Sequence, residues 1–160
     1  MDFNIRKSTK EDMPAVLYLI KELADYEKME HEVEITSEDL IKEGFGKDPL
    51  FDCFIAEKAD GEVVGMALIY FRFSTWKGKT LHLEDLMVKK EYRGEGLGIA
   101  LYSEVIKFGA SHGVKRIEWI VLDWNKNAIK FYEDTGASLQ KQWYTVQMDE
   151  EGIKKFIENL

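Results

Sequence analysis

LHLEDLMVKKEYRGEGLG, residues 81–98, describes a strand that runs through a glycine-rich turn into a helix. Apolar side chains stand at Leu81 and Leu83, then return at Leu86 and Val88. A period of two that changes parity marks one inserted residue, the signature of a β-bulge, and the slip falls on Glu84 and Asp85. A bulge leaves backbone groups without ladder partners and re-aims side chains. The strand can therefore offer N–H donors to a ligand beside a carboxylate. In Arg93-Gly94-Glu95-Gly96-Leu97-Gly98, glycines open a helix whose apolar face is Leu97, Leu101, Val105 and Phe108. Free first-turn N–H groups and the helix dipole favour an anion there. A dinucleotide fingerprint is excluded because Ile99 stands where its last glycine is needed, and a Walker A loop is excluded because Gly-Lys-Ser/Thr is absent. Two readings of the glycines stay open at this point, a phosphate cradle and a plain turn.

Composition bounds the rest. At 160 residues, 45% hydrophobic and 32% charged, the chain predicts one soluble domain over 1–160 that buries roughly 70% of its unfolded surface. Thirty acidic against 22 basic residues give a net charge of −8, which disfavours nucleic acid and anionic membranes and attracts cations. Acidity kept only for solubility fits the same number. Cys53 is the one cysteine, so a disulfide framework and a thiolate metal cluster are excluded. It reads as a buried thiol in a reducing cytoplasm. His31, His82 and His112 lack metal-ligand spacing and read as ordinary histidines, so no metal is expected. Neither an apolar signal core nor 18 consecutive apolar residues occurs, and no membrane association is expected.

In chain order, Phe3 to Arg6 is a first strand. Thr9 with Asp12 makes a capping box for a helix through about Asp25, and Thr36 with Asp39 makes another for a shorter helix ending near Gly44 and Gly46. Strands 51–57 and 62–73 flank an Asp60-Gly61 hairpin turn, the second apolar on both faces and therefore central. The helix after Gly98 carries Ile99, Tyr102 and Ile106 outside its main stripe, which predicts deep packing on two faces. Arg116 to Leu122 predicts a strand parallel to the bulged one. Asn125 caps a helix through Thr135, Ala137 to Met148 predicts a last strand, and Glu150 to Glu158 a terminal helix.

This order, with Arg93 to Gly98, resembles the GNAT N-acetyltransferases. Their glycine loop follows Arg/Gln-x-x-Gly-x-Gly/Ala. LIKELADYEKME (19–30), STWKGKTLHLEDLMVKKEYRGEGLG (74–98) and VLDWNKNAIKFYEDTGA (121–137) are similar to the diamine branch, the spermidine/spermine and thialysine N-acetyltransferases, over about residues 1–148. The STWKG and LDWN words lean to the thialysine type. The resemblance implies an α/β (α+β) fold with a mixed, mostly antiparallel central sheet, a bulged and splayed strand and flanking helices. It also implies a homodimer and an enzyme that transfers acetyl from acetyl-CoA to a primary amine of a small cationic metabolite.

The same resemblance assigns roles residue by residue. Arg93, Gly94, Glu95, Gly96, Leu97, Gly98 and Ile99 match the pyrophosphate loop. Leu86, Met87 and Val88 match the strand edge that pairs with the pantetheine arm, and Asn125, Asn127 and Ala128 match cofactor contacts on the other side. Tyr26, Glu27, Glu118, Trp119 and Ile120 match the walls of the amine pocket. Glu84 matches the residue that binds the amine and assists its deprotonation, and Tyr132 matches the acid that protonates the departing thiolate. An alkylamine of pKa near ~10.4 is only about 0.1% neutral slightly above pH 7, which is why a base helps. Tyr132 lies seven residues past Asn125, two turns along one helical face; a core tyrosine beside Phe131 is the other reading of its position. Asp85 stays open between a catalytic and a structural role. Polyamine members carry an acidic Glu-Glu-Gly-Trp stretch where this chain has Gln140-Lys141-Gln142-Trp143, a departure that favours short diamines, thialysine or lysine-like amines. Two rival functions remain: a non-catalytic acyl-CoA sensor, and a GNAT acting on protein amines.

Overall fold

A computed structural model describes residues 2–160 in two compact units, one through Ile120 and one from Val121 to Leu160. In the first unit, β1 (Phe3–Lys7), β2 (Asp52–Lys58), β3 (Val63–Ser74), β4 (Gly78–Val88) and β5 (Ile117–Glu118) form a sheet in the order β1-β2-β3-β4-β5. The first three pairings are antiparallel and the last is parallel, so the sheet is mixed, as expected. Gly61 supplies the left-handed residue of the β2–β3 turn with φ +88°. β3 is the central strand, with Val63 to Ile69 all buried.

Helices α1 (Met13–Glu27), α2 (Ser37–Phe45) and α3 (Leu97–Ser111) complete this unit. Asp12 closes the capping box on Thr9 and receives Arg6 at 2.8 Å, while the same guanidinium reaches Glu57 at 2.9 Å. Arg6 thereby holds Asp12 below the usual carboxylate range and ties β1, β2 and the start of α1 together. Met13, Val16 and Leu19 of α1 pack on Ile55, Met66 and Leu68. Each such side chain, fully buried, contributes about 1.5–3 kcal/mol. Cys53 belongs to this core, and burial pushes its thiol up to about 12, which makes it inert.

The second unit holds α4 (Lys126–Asp134) and α5 (Glu150–Glu158). Asn125 caps α4 by accepting from the Ala128 N–H at 3.2 Å, Gly136 with φ +92° follows its end, and Asp149 caps α5.

Three expectations change. α3 buries Leu97, Leu101, Val105 and Tyr102, but Ile99 and Ile106 are exposed, so it packs on one broad face. β5 pairs only at Leu81↔Ile117 and His82↔Glu118. The ladder stops one residue short of the bulge that carries β4 away from a straight course. Finally, 137–148 forms no strand; Tyr144, Val146 and Met148 alternate as a strand would, yet all three are exposed. Alternation is a propensity, and without a partner ladder it fixes nothing.

Candidate active site

The bulge lies where parity places it. Leu68 faces Asp85 and Ile69 faces Leu83, leaving Glu84 as the extra residue. From Leu83 to Val88 the outer edge of β4 has no partner strand among the described residues, because β5 pairs only with Leu81 and His82. Upstream, Thr80 to Leu83 are buried; Glu84 turns out to solvent, Asp85 and Leu86 are half-buried, and Met87 and Val88 return to the core. An open edge of six residues next to a kink is a template for an extended ligand with amide groups.

Glu84 is held on both sides. The Tyr70 hydroxyl donates to its Oε2 at 2.9 Å, and His82 Nε2 stands 3.4 Å from the same oxygen. These donors, His82 foremost, keep Glu84 below the usual carboxylate range even though partial burial opposes them. Asp85 behaves oppositely. Burial, then the charges of Glu84 and Glu27, push it up to about 6, and no hydrogen bond reaches its carboxyl among the described residues. Desolvation also raises Glu27, at the end of α1. Two adjacent carboxyls thus differ in character, one a fixed anion and one poised to take up a proton near neutral pH.

Beyond Val88 the chain is pinned before it reaches the glycines. Lys89 reaches Glu62 at 2.7 Å and Tyr92 donates to the same carboxylate at 3.0 Å. Glu62 is drawn down to about 2 by Lys89 first, then by Lys58 and Tyr92. Gly94 and Gly96 follow with φ +82° and +84°, values that disfavour any side chain, and the space where a Cβ would stand is open at both. The backbone N–H groups of Gly94, Glu95, Gly96, Leu97, Gly98 and Ile99 have no protein acceptor among the described residues. Six free donors around an uncluttered turn at the start of a 15-residue helix fit a diphosphate group.

The other expected positions divide between the units. Tyr26 stacks under the Arg93 guanidinium at 5.3 Å, joining the end of α1 to the loop. Glu118 pairs with Arg116 at 3.2 Å, Trp119 packs edge-on to Tyr102, and Ile120 is exposed. In the second unit, Asn125, Asn127, Ala128 and Tyr132 share the cap and body of α4, and Tyr132 meets Phe131 edge-on at 5.2 Å. Tyr70 and Arg72 escaped the sequence reading, which gave His82 only the part of an ordinary histidine. The available signal was His82 two residues before Glu84, which places both on one strand face. No group of three metal-ligating side chains occurs among the described residues, nor a helix long and apolar enough to cross a membrane.

Known proteins resemble this chain in sequence and in fold. The acetyltransferase (GNAT) family model matches residues 16–137. A thialysine N-epsilon-acetyltransferase of Bos taurus is 38% identical over 94% of this chain and 95% of its own length. A spermidine/spermine N(1)-acetyltransferase-like protein of Homo sapiens is 35% identical over 94% of this chain and 23% of its own. Among solved structures, an integron cassette protein from the mobile metagenome of V. cholerae superposes with a TM-score of 0.80 over 99% of both chains at 23% identity, a likeness of fold.

Proposed function

Since the chain belongs to the GNAT acetyltransferase family, we propose that it transfers acetyl from acetyl-CoA to a primary amine of a small cationic metabolite, a short diamine or a thialysine-like amino acid. The observation that carries the reading is the bulge at Glu84, which sets an unpaired strand edge and an anionic side chain immediately before a loop of free N–H donors.

Acetyl-CoA supplies a thioester and a diphosphate; the chain's residues do the rest. Gly94 to Ile99 hold the diphosphate on backbone N–H groups, and Leu86, Met87 and Val88 pair with the pantetheine amides as a sheet edge pairs with a strand. Freed backbone N–H groups at the bulge stabilise charge on the acetyl oxygen. Glu84, a fixed anion, anchors the ammonium, with Tyr26, Glu27, Glu118, Trp119 and Ile120 as pocket walls. Asp85, with no structural hydrogen bond and a carboxyl poised near 6, fits the proton's destination, so deprotonation is shared between the neighbouring carboxyls. Asn125, Asn127 and Ala128 complete cofactor binding, and Tyr132 gives its proton to the departing thiolate, roles that rest on the family resemblance. The same reading makes 1–160 one functional domain, dimeric and cytoplasmic.

Release of CoA thiol, followed with putrescine, spermidine, thialysine and lysine side by side, tests the proposal. Turnover greatest with the short or amino-acid amines is expected. CoA binding without turnover would establish a sensor instead, and faster turnover of peptides a protein acetyltransferase.

A further inference from the structure

His82 has no part in the chemistry assigned so far, yet both its ring nitrogens are engaged. The residue is only 7% exposed. Its Nδ1 lies 3.3 Å from Arg72 Nη1, and its Nε2 faces Glu84 Oε2 at 3.4 Å. A guanidinium has donors only and keeps its charge in proteins, so Nδ1 must be the acceptor in the first contact. A neutral imidazole that accepts at Nδ1 carries its single proton on Nε2, aimed at Glu84. Protonating Nδ1 as well would set N–H against N–H beside a full positive charge.

The other charged and titratable groups around His82 leave this arrangement intact. Tyr70 of β3 stacks at 5.0 Å, with its hydroxyl given to Glu84. Glu118, in register with His82 on β5, is engaged by Arg116. Asp85 on the same strand acts at longer range, and Glu27 of α1 bears on Asp85. Among the described residues, Glu84 offers the only carboxylate within ion-pair distance of the ring.

We propose that Arg72 locks His82 as the neutral Nε2–H tautomer, making His82 a positioning residue that orients Glu84 without neutralising it, so that the full carboxylate charge is left for the acceptor ammonium. The inference rests on the amine-transfer reading above. An imidazolium in the same place would form an internal ion pair with Glu84 and compete with the substrate. A neutral donor fixes the carboxylate and does not compete.

The test replaces Arg72 and follows the imidazole as well as the kinetics. In Arg72→Met the block on Nδ1 is gone, so acid can place a second proton on the ring and turn it into the imidazolium that pairs with Glu84. The KM for putrescine, taken as a ratio to wild type to cancel the amine's own ionisation, should then rise several-fold between pH 8 and 5.5, with kcat unchanged. His82→Gln, whose amide can accept from Arg72 and donate to Glu84, should keep the wild-type KM. His82→Phe should raise KM at every pH with no added slope. Side-chain 15N shifts, assigned to His82 by their loss in His82→Gln, should show the neutral Nε2–H pattern in wild type from pH 8 to 5.5 and a titration in Arg72→Met. A wild-type ring that takes up a second proton between pH 8 and 5.5, a proton on Nδ1, or a flat KM ratio in Arg72→Met overturns the proposal. Failure of the amine-transfer reading is distinguishable, because it shows as absent turnover in wild type while the imidazole pattern is read without substrate.

Discussion

β4 is two strands in one. From Gly78 to Leu83 it lies within the sheet, with β3 on one side throughout and β5 on the other at Leu81 and His82, and it buries Thr80, Leu81, His82 and Leu83. From Asp85 to Val88 it keeps β3 and has no outer neighbour among the described residues. One residue, Glu84, separates the halves. The contrast teaches that a core and a site can be cut from the same strand by a single insertion. The upstream half fixes the register that the downstream half exploits.

If that division is sound, substitutions in the two halves should fail in different currencies. The largest effect belongs upstream. Leu81→Ala, at a position 0% exposed, should lower unfolding stability by about 3 kcal/mol in urea melts while kcat/KM per folded molecule stays unchanged. A fall in kcat/KM there would break the comparison. Tyr132→Phe, outside the strand altogether, should cut kcat by roughly 10²-fold with CoA affinity and stability preserved; an unchanged rate removes Tyr132 from the mechanism.

Asp85→Asn sharpens the downstream side. The carboxyl is raised from 3.8 unfolded to about 6 folded, so the folded state binds more protons between those values and stability falls as pH rises through them. Above pH 6 the wild type bears the whole cost of a buried charge. The variant should therefore be more stable by about 2 kcal/mol at pH 7.5, lose that advantage toward pH 4, and acetylate at least about tenfold more slowly at pH 7. Equal stability at both pH values would show that Asp85 ionises as freely as in water. Smallest is Gly96→Ala, where φ +84° makes the side chain cost about 1 kcal/mol and should weaken CoA binding several-fold by calorimetry.

What the sequence disclosed follows the same line. The Glu84 bulge was legible because parity is a local property, and so were the caps at Thr36 and Asn125, each a matter of a few neighbouring residues. The glycine turn was legible because its spacing excluded the other phosphate loops. Lateral facts were hidden. Tyr70 meets His82 directly across the ladder, and Arg72, opposite Thr80, reaches His82 on the diagonal, contacts that exist only once register is known. The structure departs from the sequence at 137–148, which forms no strand, and at Ile99 and Ile106, whose hydrophobicity does not ensure burial. Asp85 could not have been assigned from sequence, because its character comes from burial and from Glu27, 58 positions away along the chain.

Arg93 carries one more consequence. Its Nε donates to the Val88 carbonyl at 2.9 Å and its guanidinium lies over the Tyr26 ring, so an exposed side chain is held against the ends of β4 and α1. On the proposed function, this side chain beside the glycine turn is already in place before an anion arrives. The same contact links Tyr26, a wall of the proposed amine pocket, to the proposed cofactor loop through one side chain.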